Sequence, residues 1–327
     1  MKRIIRRFFP NSLWKWCRKQ AILREHRKTS KVCNVLLKRL DNGSIIHYPF
    51  TPKKTLEGTH IIWQYWAQGY EQVPELVRIC LNSVERYKGN YVIIRLTDAN
   101  LKDYVDFPDS FFRKREKFGM AFFSDLLRMV LLVTYGGVWL DATVLLTGTL
   151  PDKLAMNQFF MFQRDNAERN KNYWEGTYAY YWGWYSGFKV RVLNSIIFAT
   201  PHCTLISDMA DMLYTYWLEE EDKLSYFFFQ ILFHEYISFY PSRNCMIESD
   251  CIPHYIMQIL TDNYSELSLK EIIDLTNIHK LTYKIPESCV ERLKDIQKAA
   301  DIYAKRDEKT CLPDHCTLRL PAIAANG

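Results

Sequence analysis

Glycine and proline are scarce in this chain, with only 12 of each among 327 residues, whereas tyrosine, phenylalanine and tryptophan number 21, 19 and 9. This balance excludes disordered and fibrous classes and indicates a chain that buries a large core. A glycine-rich phosphate-binding loop of either common type is also missing. Its absence argues against kinases, P-loop enzymes and dinucleotide-dependent oxidoreductases.

Long apolar runs are missing as well, so the sequence predicts neither the core of a signal peptide nor a transmembrane helix. The nine cysteines are odd in number and contain no Cys-x-x-Cys pair, which is typical of free thiols in a reducing compartment. Cys311 and Cys316 have no second pair to complete a zinc site. We therefore expect a cytoplasmic protein without a disulfide framework.

The net charge of +6 hides an uneven distribution. Residues 1–40 contain 13 Lys and Arg and one acid, whereas the remaining residues contain 30 basic and 36 acidic side chains. Because the basic charge is confined to the N-terminus, a nucleic-acid partner is not expected. Aromatic and basic residues alternate there, as in Trp14-Lys-Trp16, a pattern that suits a helix lying on an anionic membrane. A solvated basic helix that packs on its own domain is the alternative.

The remaining pattern predicts an α/β fold. Residues 60–66 and 91–96 are strand-like and flank a helical segment at residues 74–87, so they form a βαβ unit with parallel strands. We expect a basic N-terminal leader at 1–50, a catalytic domain at 51–290 and a C-terminal tail at 291–327. The helix predicted at residues 204–220 is expected to carry Asp208 and Asp211 on its surface.

The stretch from Phe122 to Asp141 is the centre of this organisation. It reads as an apolar helix that stops at Gly136-Gly137 and continues into a short strand ending on Asp141. Asp125 and Arg128 share one face of that helix and need partners, since an unpaired charge in an apolar helix is costly.

An acid at the carboxyl end of an inner strand lies where open α/β sheets bind ligands. Asp141 is such an acid, and Thr143 faces the same side of an extended chain, so the two are candidate ligands of Mg²⁺ or Mn²⁺. A turn-capping role for Asp141 remains open. Trp63 and Trp66 are positioned to stack on a nucleobase, and core packing is the alternative for each.

Three segments carry a family resemblance: Ile62-Trp-Gln-Tyr-Trp66, Ser124-Asp-Leu-Leu-Arg128 and Tyr135-Gly-Gly-Val-Trp-Leu-Asp141-Ala-Thr-Val. Together they resemble the bacterial capsular polysaccharide synthesis glycosyltransferases, relatives of glycosyltransferase family 32, over residues 60–284. The resemblance implies a GT-A fold, which is a Rossmann-like mixed sheet flanked by helices, with additional helical elements. It also implies a nucleotide-diphosphate-sugar donor and a divalent metal.

By match to the family motifs, Asp125 and Arg128 are expected to bind the donor, Asp141 to hold the metal and Trp63 to stack on the base. His279 is a weaker metal candidate, and Lys280 is expected to place a positive charge near the leaving group. The wider superfamily that this resemblance implies has Asp-x-Asp where this chain has Asp141-Ala142-Thr143, so the metal is expected to be held more weakly or through water.

The function that follows is transfer of a sugar, with retention of anomeric configuration, to a growing lipid-linked capsular or other cell-surface polysaccharide. We expect the protein at the inner face of the plasma membrane. Two alternatives stay open: a GT-A-fold assembly protein of weak or lost activity, which Thr143 favours, and a glycosyltransferase that modifies proteins.

Overall fold

The computed structural model describes residues 11–56, 60–155, 157–261 and 266–310. Its helices are α1 (Asn11–Asp41), α2 (Glu75–Tyr87), α3 (Asp109–Phe118), α4 (Met120–Tyr135), α5 (Asp152–Ala155), α6 (Lys171–Thr177), α7 (Thr204–Glu219), α8 (Phe228–Phe239), α9 (Tyr255–Leu260), α10 (Leu269–Leu275) and α11 (Glu287–Thr310). Its strands are β1 (Ile61–Tyr65), β2 (Val92–Leu96), β3 (Gly137–Leu140), β4 (Val144–Leu146), β5 (Phe159–Gln163), β6 (Val192–Ala199) and β7 (Ile278–Lys280).

Five strands form a mixed sheet in the order β2-β1-β3-β6-β5. The strands β2, β1 and β3 are parallel, which confirms the predicted βαβ unit, while β6 runs antiparallel to both β3 and β5. Strands β4 and β7 pair antiparallel in a small second sheet. The fold is therefore mixed α/β, with a helix-flanked sheet consistent with a Rossmann-like arrangement.

Both faces of the main sheet are covered, because alternate side chains of each strand enter different parts of the core. Trp63 and Trp139 pack into the larger part, which also contains most of the apolar residues of α4, α7 and α8. Ile62 and Leu140 point to the other face and pack with residues of β4 and with Val84 of α2.

The predicted stop at Gly136-Gly137 is a backbone requirement. Gly136 ends α4 with a φ of 70°, and its N–H donates to the carbonyl of Leu132 at 2.9 Å. Gly137 has a φ of 100°, and a Cβ there would lie 2.4 Å from the carbonyl oxygen of Ile61. Only glycine fits this approach of β3 to β1, so the turn that leads from α4 to Asp141 depends on it.

Both ends of the described chain are helical. In α1, which belongs to the expected leader, Ile22, His26, Cys33 and Leu36 are buried, and the helix packs against α7 and α8. The expected domain boundary at residue 290 falls inside α11. This polar segment forms a helix because its apolar positions recur at helical spacing, and one of them, Leu293, is buried. Residues 1–10, Cys311 and Cys316 lie outside the described residues.

Three further observations bear on the sequence predictions. The expectation of a surface position for Asp211 was wrong: it is 3 % exposed and accepts hydrogen bonds from the N–H of Tyr48 and from His47, which cover that side of α7. The cysteines of the described ranges are free thiols. In those same ranges, no helix has both the length and the apolar character that crossing a bilayer requires.

Candidate active site

A cavity of about 1360 Å³ opens at the carboxyl ends of β1 and β3. Residues of the central stretch border it, namely Ser124, Arg128 and Asp141, together with Thr143, Asn194 and Lys280. Parallel strands of an open sheet present their loops at this edge, which is where such folds bind ligands. The local sequence therefore brings helix α4 and the end of β3 to one site.

Arg128 connects the two acids of this site. Its Nη2 lies 3.5 Å from Oδ1 of Asp125 and 3.6 Å from Oδ1 of Asp141. Its Nε donates to the carbonyl of Ser124 at 3.0 Å, and its Nη1 donates to the carbonyl of Asn194. The guanidinium also lies over the ring of Trp139, 5.1 Å from the centroid. These contacts fix a buried cation between two carboxylates.

The two carboxylates lie in different surroundings, and their pKa values shift in opposite directions. Burial raises the pKa of Asp125 to about 7, although the charge of Arg128 and a 2.7 Å hydrogen bond from Asn194 oppose the rise. Burial also raises the pKa of Asp141, but the charges of Arg128 and Lys280 outweigh it and leave the pKa below its usual value. Hydrogen bonds from Trp139 and Ser195 act in the same direction as these charges. Asp141 is therefore the ionised member of the pair at neutral pH.

Lys280 brings a second cation to the site from β7. Its Nζ lies 3.5 Å from Oδ2 of Asp141 and donates to Oγ1 of Thr143 at 2.5 Å. The pairing of β7 with β4 sets this position, because Lys280 is opposite Val144, next to Thr143 in the chain. Arg128, Asp141, Thr143 and Lys280 form what we call the charged cluster.

His279, the neighbour of Lys280, is directed elsewhere because adjacent strand residues point to opposite sides. Its ring is fully buried, and Nε2 lies 3.0 Å from Oγ1 of Thr147. Burial lowers the pKa of His279, to about 3. The structure thus brings Lys280, but not His279, to Asp141.

Trp63 and Trp66 also differ in their position relative to the cavity. Trp63 is fully buried, donates from Nε1 to the carbonyl of Gly136 at 2.9 Å and packs against Tyr104 and Tyr135. Trp66 lies beyond the end of β1, borders the cavity and contacts the ring of Tyr283 edge-on at 5.8 Å. Of the two, only Trp66 presents a ring to a ligand in the cavity.

The charged cluster alone does not fit a resident metal ion. Within the described ranges, no group of three or more His, Cys, Asp or Glu side chains is arranged to hold one. Thr143 near Asp141 is neutral, and both side chains are already in contact with the Lys280 ammonium. A divalent cation here needs further oxygen ligands from a bound molecule.

Asn194 and Ser195 were missed by the sequence reasoning. Asn194 hydrogen-bonds Asp125, and the carbonyl of Ser195 accepts the N–H of Asp141 at 2.9 Å. Both lie on β6, which pairs with β3 and so runs directly past Asp141. A polar pair inside the otherwise apolar segment Val192–Ala199 was the available signal.

A sequence model of the family described as "Capsular polysaccharide synthesis protein" matches residues 14–299. The chain belongs to this family. The match contains every residue of the charged cluster and most of the helices α1 and α11. No curated protein matches the chain significantly. Membership in the capsular polysaccharide synthesis family connects the chain with capsule biosynthesis and is consistent with a biosynthetic enzyme.

Proposed function

We propose that this protein is a GT-A-type glycosyltransferase, related to glycosyltransferase family 32, that moves a sugar from a nucleoside-diphosphate donor to a capsular or other cell-surface polysaccharide. The observation that carries the proposal is the charged cluster in a large cavity at the carboxyl ends of parallel strands. Two cations, Arg128 and Lys280, flank the partly buried Asp141 there, the one carboxylate among the described residues that line the cavity. Family membership supports the same conclusion.

Glycosyl transfer breaks the bond between the anomeric carbon and the diphosphate, so negative charge grows on the departing phosphate oxygen. Fixed cations stabilise such charge more strongly in a water-poor cleft than in water. Lys280 is the group we assign to the leaving diphosphate. Its ammonium borders the cavity and contacts one carboxylate, that of Asp141, among the described residues. Arg128 and Asp125 are assigned to positioning the donor sugar.

The nucleobase is assigned to the other end of the donor. Trp66 and Tyr283 border the cavity beyond β1 and β7 and present aromatic rings on which a base stacks. Base stacking of this kind is worth about 1–3 kcal/mol. Trp66 therefore takes the stacking role that the family resemblance assigns to Trp63.

The acceptor is proposed to be lipid-linked and to be met at the inner face of the plasma membrane. Helix α1 supports this through its solvent-facing side, which carries Lys15, Arg24, Lys28 and Lys31 together with Trp16, whose side chain is 58 % exposed. Cations and a ring of this kind bind anionic lipid headgroups. Retention of configuration, in which the donor phosphate accepts the proton of the acceptor hydroxyl, is proposed from the family resemblance.

The decisive experiment is hydrolysis of a panel of nucleotide sugars with and without Mn²⁺, measured as release of nucleoside diphosphate. We expect the wild-type protein to hydrolyse one donor. The Asp141→Ala variant is expected to hydrolyse that donor at least about a hundredfold more slowly. Asp274→Asn, a surface acid paired with Lys270, is the matched control and is expected to keep the wild-type rate. If no donor is turned over by the wild-type protein, the non-catalytic alternative replaces this proposal.

A further inference from the structure

The cavity is larger than one ligand requires. Ligand pockets in proteins generally measure about 300–1000 Å³, whereas this one measures about 1360 Å³. The side proposed for the donor consists of residues 65–68, the charged cluster and residues 280–284. A second part of the lining comes from residues 172–178, 181–182, 226–230 and 254–261, which we call the aromatic wall.

Side-chain contacts connect the charged cluster to the aromatic wall. A series of contacts begins at Lys280 and passes through Asp141 to Arg128 and Asp125. It continues through Asn194, whose Oδ1 accepts a hydrogen bond from Nε2 of Gln230 at 3.1 Å. Gln230 belongs to the aromatic wall. The part of the wall around Gln230 is therefore next to Asn194, at the end of this series that is remote from Lys280.

The chemistry of the aromatic wall differs from that of the donor side. Among the described residues that line the cavity, this wall contributes no Lys, Arg, Asp or Glu side chain, whereas the donor side contributes Arg128, Asp141, Lys280 and Lys284. Tyr226 and Tyr178 are 59 % and 50 % exposed, respectively. A neutral wall with open aromatic rings fits an uncharged ligand better than a phosphate.

Those two rings are held by their surroundings. Tyr178 packs on Phe227 with a centroid separation of 6.4 Å, and Tyr226 packs on the same residue edge-on at 4.9 Å. Next to Tyr226, Ser225 donates a 2.7 Å hydrogen bond to Glu25 of α1. The rings are thus fixed before a ligand binds, which lowers the entropy lost on binding.

Polar groups accompany the rings. The Nδ1–H of His254 donates to the carbonyl of Asp250 at 2.7 Å, which leaves Nε2 as an acceptor, and no group in the described part of the chain bonds it. Gln258 accepts the hydroxyl of Tyr173 at 3.1 Å through Oε1, and its amide nitrogen has no partner in the same part of the chain. One acceptor and one donor are therefore available in the same cavity as the rings.

We propose that the aromatic wall is a binding site for a pyranose ring of the acceptor saccharide, an assignment that rests on the proposed glycosyltransferase function. The apolar C–H face of the sugar stacks on Tyr226 and Tyr178, and its hydroxyl groups bond His254 and Gln258. A saccharide held there lies in the same cavity as the charged cluster. The wall thereby selects which residue of the growing polysaccharide receives the new sugar.

Saturation-transfer difference NMR on the full chain tests this site. The probes are methyl glycosides of glucose, galactose, mannose and N-acetylglucosamine, each recorded with and without a saturating mixture of UDP and GDP. We expect signal from at least one glycoside, strongest on the protons of its apolar face, and persistence of that signal with the nucleotides. Tyr226→Ala and Tyr178→Ala are expected to weaken binding about fivefold, and Tyr226→Phe to retain it. Phe239→Ala, an exposed aromatic residue of α8 outside the cavity lining, is the matched control and is expected to bind as the wild type does.

The outcomes separate the two proposals. If the wild-type protein hydrolyses a nucleotide sugar but no glycoside gives a signal, the acceptor site is overturned and the proposed function stands. Loss of the glycoside signal on adding nucleotide also overturns the site, because the glycoside then occupies the donor side. A glycoside signal that depends on Tyr226, in a protein that turns over no donor, supports a saccharide site and contradicts the transferase proposal.

Discussion

Lys280 faces Asp141 across the junction of the two sheets, with Nζ 3.5 Å from Oδ2. The same ammonium bonds the hydroxyl of Thr143, which is a neutral side chain. With a neutral side chain at 143, Asp141 is the only carboxylate that Lys280 contacts among the described residues, and Asp141 is shared with Arg128. An incoming diphosphate therefore meets a cation that is not fully neutralised, which connects the neutral side chain of Thr143 to a gain in anion binding.

Replacing Lys280 tests this connection. We expect Lys280→Met to lower kcat for donor hydrolysis about 10²–10³-fold, the usual cost of removing one group that stabilises developing charge. Lys280→Arg keeps the charge and is expected to retain part of the rate. Lys298→Met, an exposed lysine of α11 paired with Asp295, serves as the control. An unchanged kcat in Lys280→Met would remove the assignment of this residue to the leaving group.

The neutral side chain of Thr143 also allows a prediction of how strongly the protein binds Mn²⁺. We expect no tight Mn²⁺ binding by the wild-type protein without nucleotide, because the charged cluster supplies a single carboxylate next to an ammonium. Thr143→Asp adds a second carboxylate and is expected to strengthen Mn²⁺ binding at least tenfold in the presence of UDP. Electron paramagnetic resonance of free Mn²⁺ measures the Mn²⁺ affinity of the wild type and of the variant. Thr51→Asp, at an exposed position, is the control. Tight binding by the nucleotide-free wild type would contradict this reasoning.

Much of the scaffold is predictable because its signals are local. Helical spacing and Gly136-Gly137 define α4 and its end, and the apolar strands that follow define the sheet. Side-chain direction is harder, since it depends on strand parity and pairing. Trp63 and Trp66, or His279 and Lys280, look equivalent in a sequence, yet only one of each pair reaches the cavity. Asn194 joins the site through the β3–β6 pairing, which no short motif encodes.

Asp125 makes the free energy of unfolding depend on pH. Its pKa in the folded protein is about 7, above the usual value in an unfolded chain. The folded state therefore holds more protons on this group between about pH 4 and 7, and the contribution of Asp125 to stability is lost as the pH rises through 7. Buried histidines with lowered pKa values, such as His254 and His279, oppose this trend, so the comparison must be made against a variant.

Asp125→Asn is that variant, because its amide does not titrate. Relative to the wild type, its free energy of unfolding is expected to increase from pH 5.5 to pH 8, as measured by urea denaturation at both pH values. The histidine contributions are common to the two proteins and cancel. The surface substitution Asp295→Asn is expected to give the same difference from the wild type at both pH values. A pH-independent difference for Asp125→Asn would show that Asp125 titrates normally.

Membrane association is testable without deleting α1, whose inner face is part of the core. Arg24, Lys28 and Lys31 are exposed and follow one stripe of the helix. Reversing all three to Glu is expected to weaken sedimentation with vesicles containing phosphatidylserine at least tenfold, since each cation near such a surface contributes about 1 kcal/mol. Reversal of the exposed Arg113, Lys117 and Lys298 changes the net charge equally and is expected to have a smaller effect. Equal losses in the two triple variants would indicate a response to overall charge and refute a specific role for α1.

The aromatic wall depends on a buried ion pair behind it. Arg164 and Asp250 are fully buried and joined by two 2.9 Å hydrogen bonds, while the hydroxyl of Tyr181 donates to the same carboxylate. The guanidinium lies 4.4 Å from the ring centroid of Trp182 and 4.7 Å from that of Trp184, two rings that are nearly parallel. Removing the carboxylate leaves this cation buried without a counter-charge, which is more costly than losing an exposed pair.

Asp250→Asn is therefore expected to lower the free energy of unfolding by about 3–5 kcal/mol, measured by urea denaturation. Glu219→Gln breaks the partly exposed pair with Arg39 and is expected to cost less than about 1 kcal/mol, since solvent screens that pair. A similar small loss in Asp250→Asn would mean that water reaches Arg164. Because Tyr181 and Trp182 line the cavity, Asp250→Asn is also expected to weaken the binding of methyl glycosides. The contacts within the charged cluster are expected to stay unchanged. We therefore expect this one substitution to lower both the stability of the fold and the binding of glycosides.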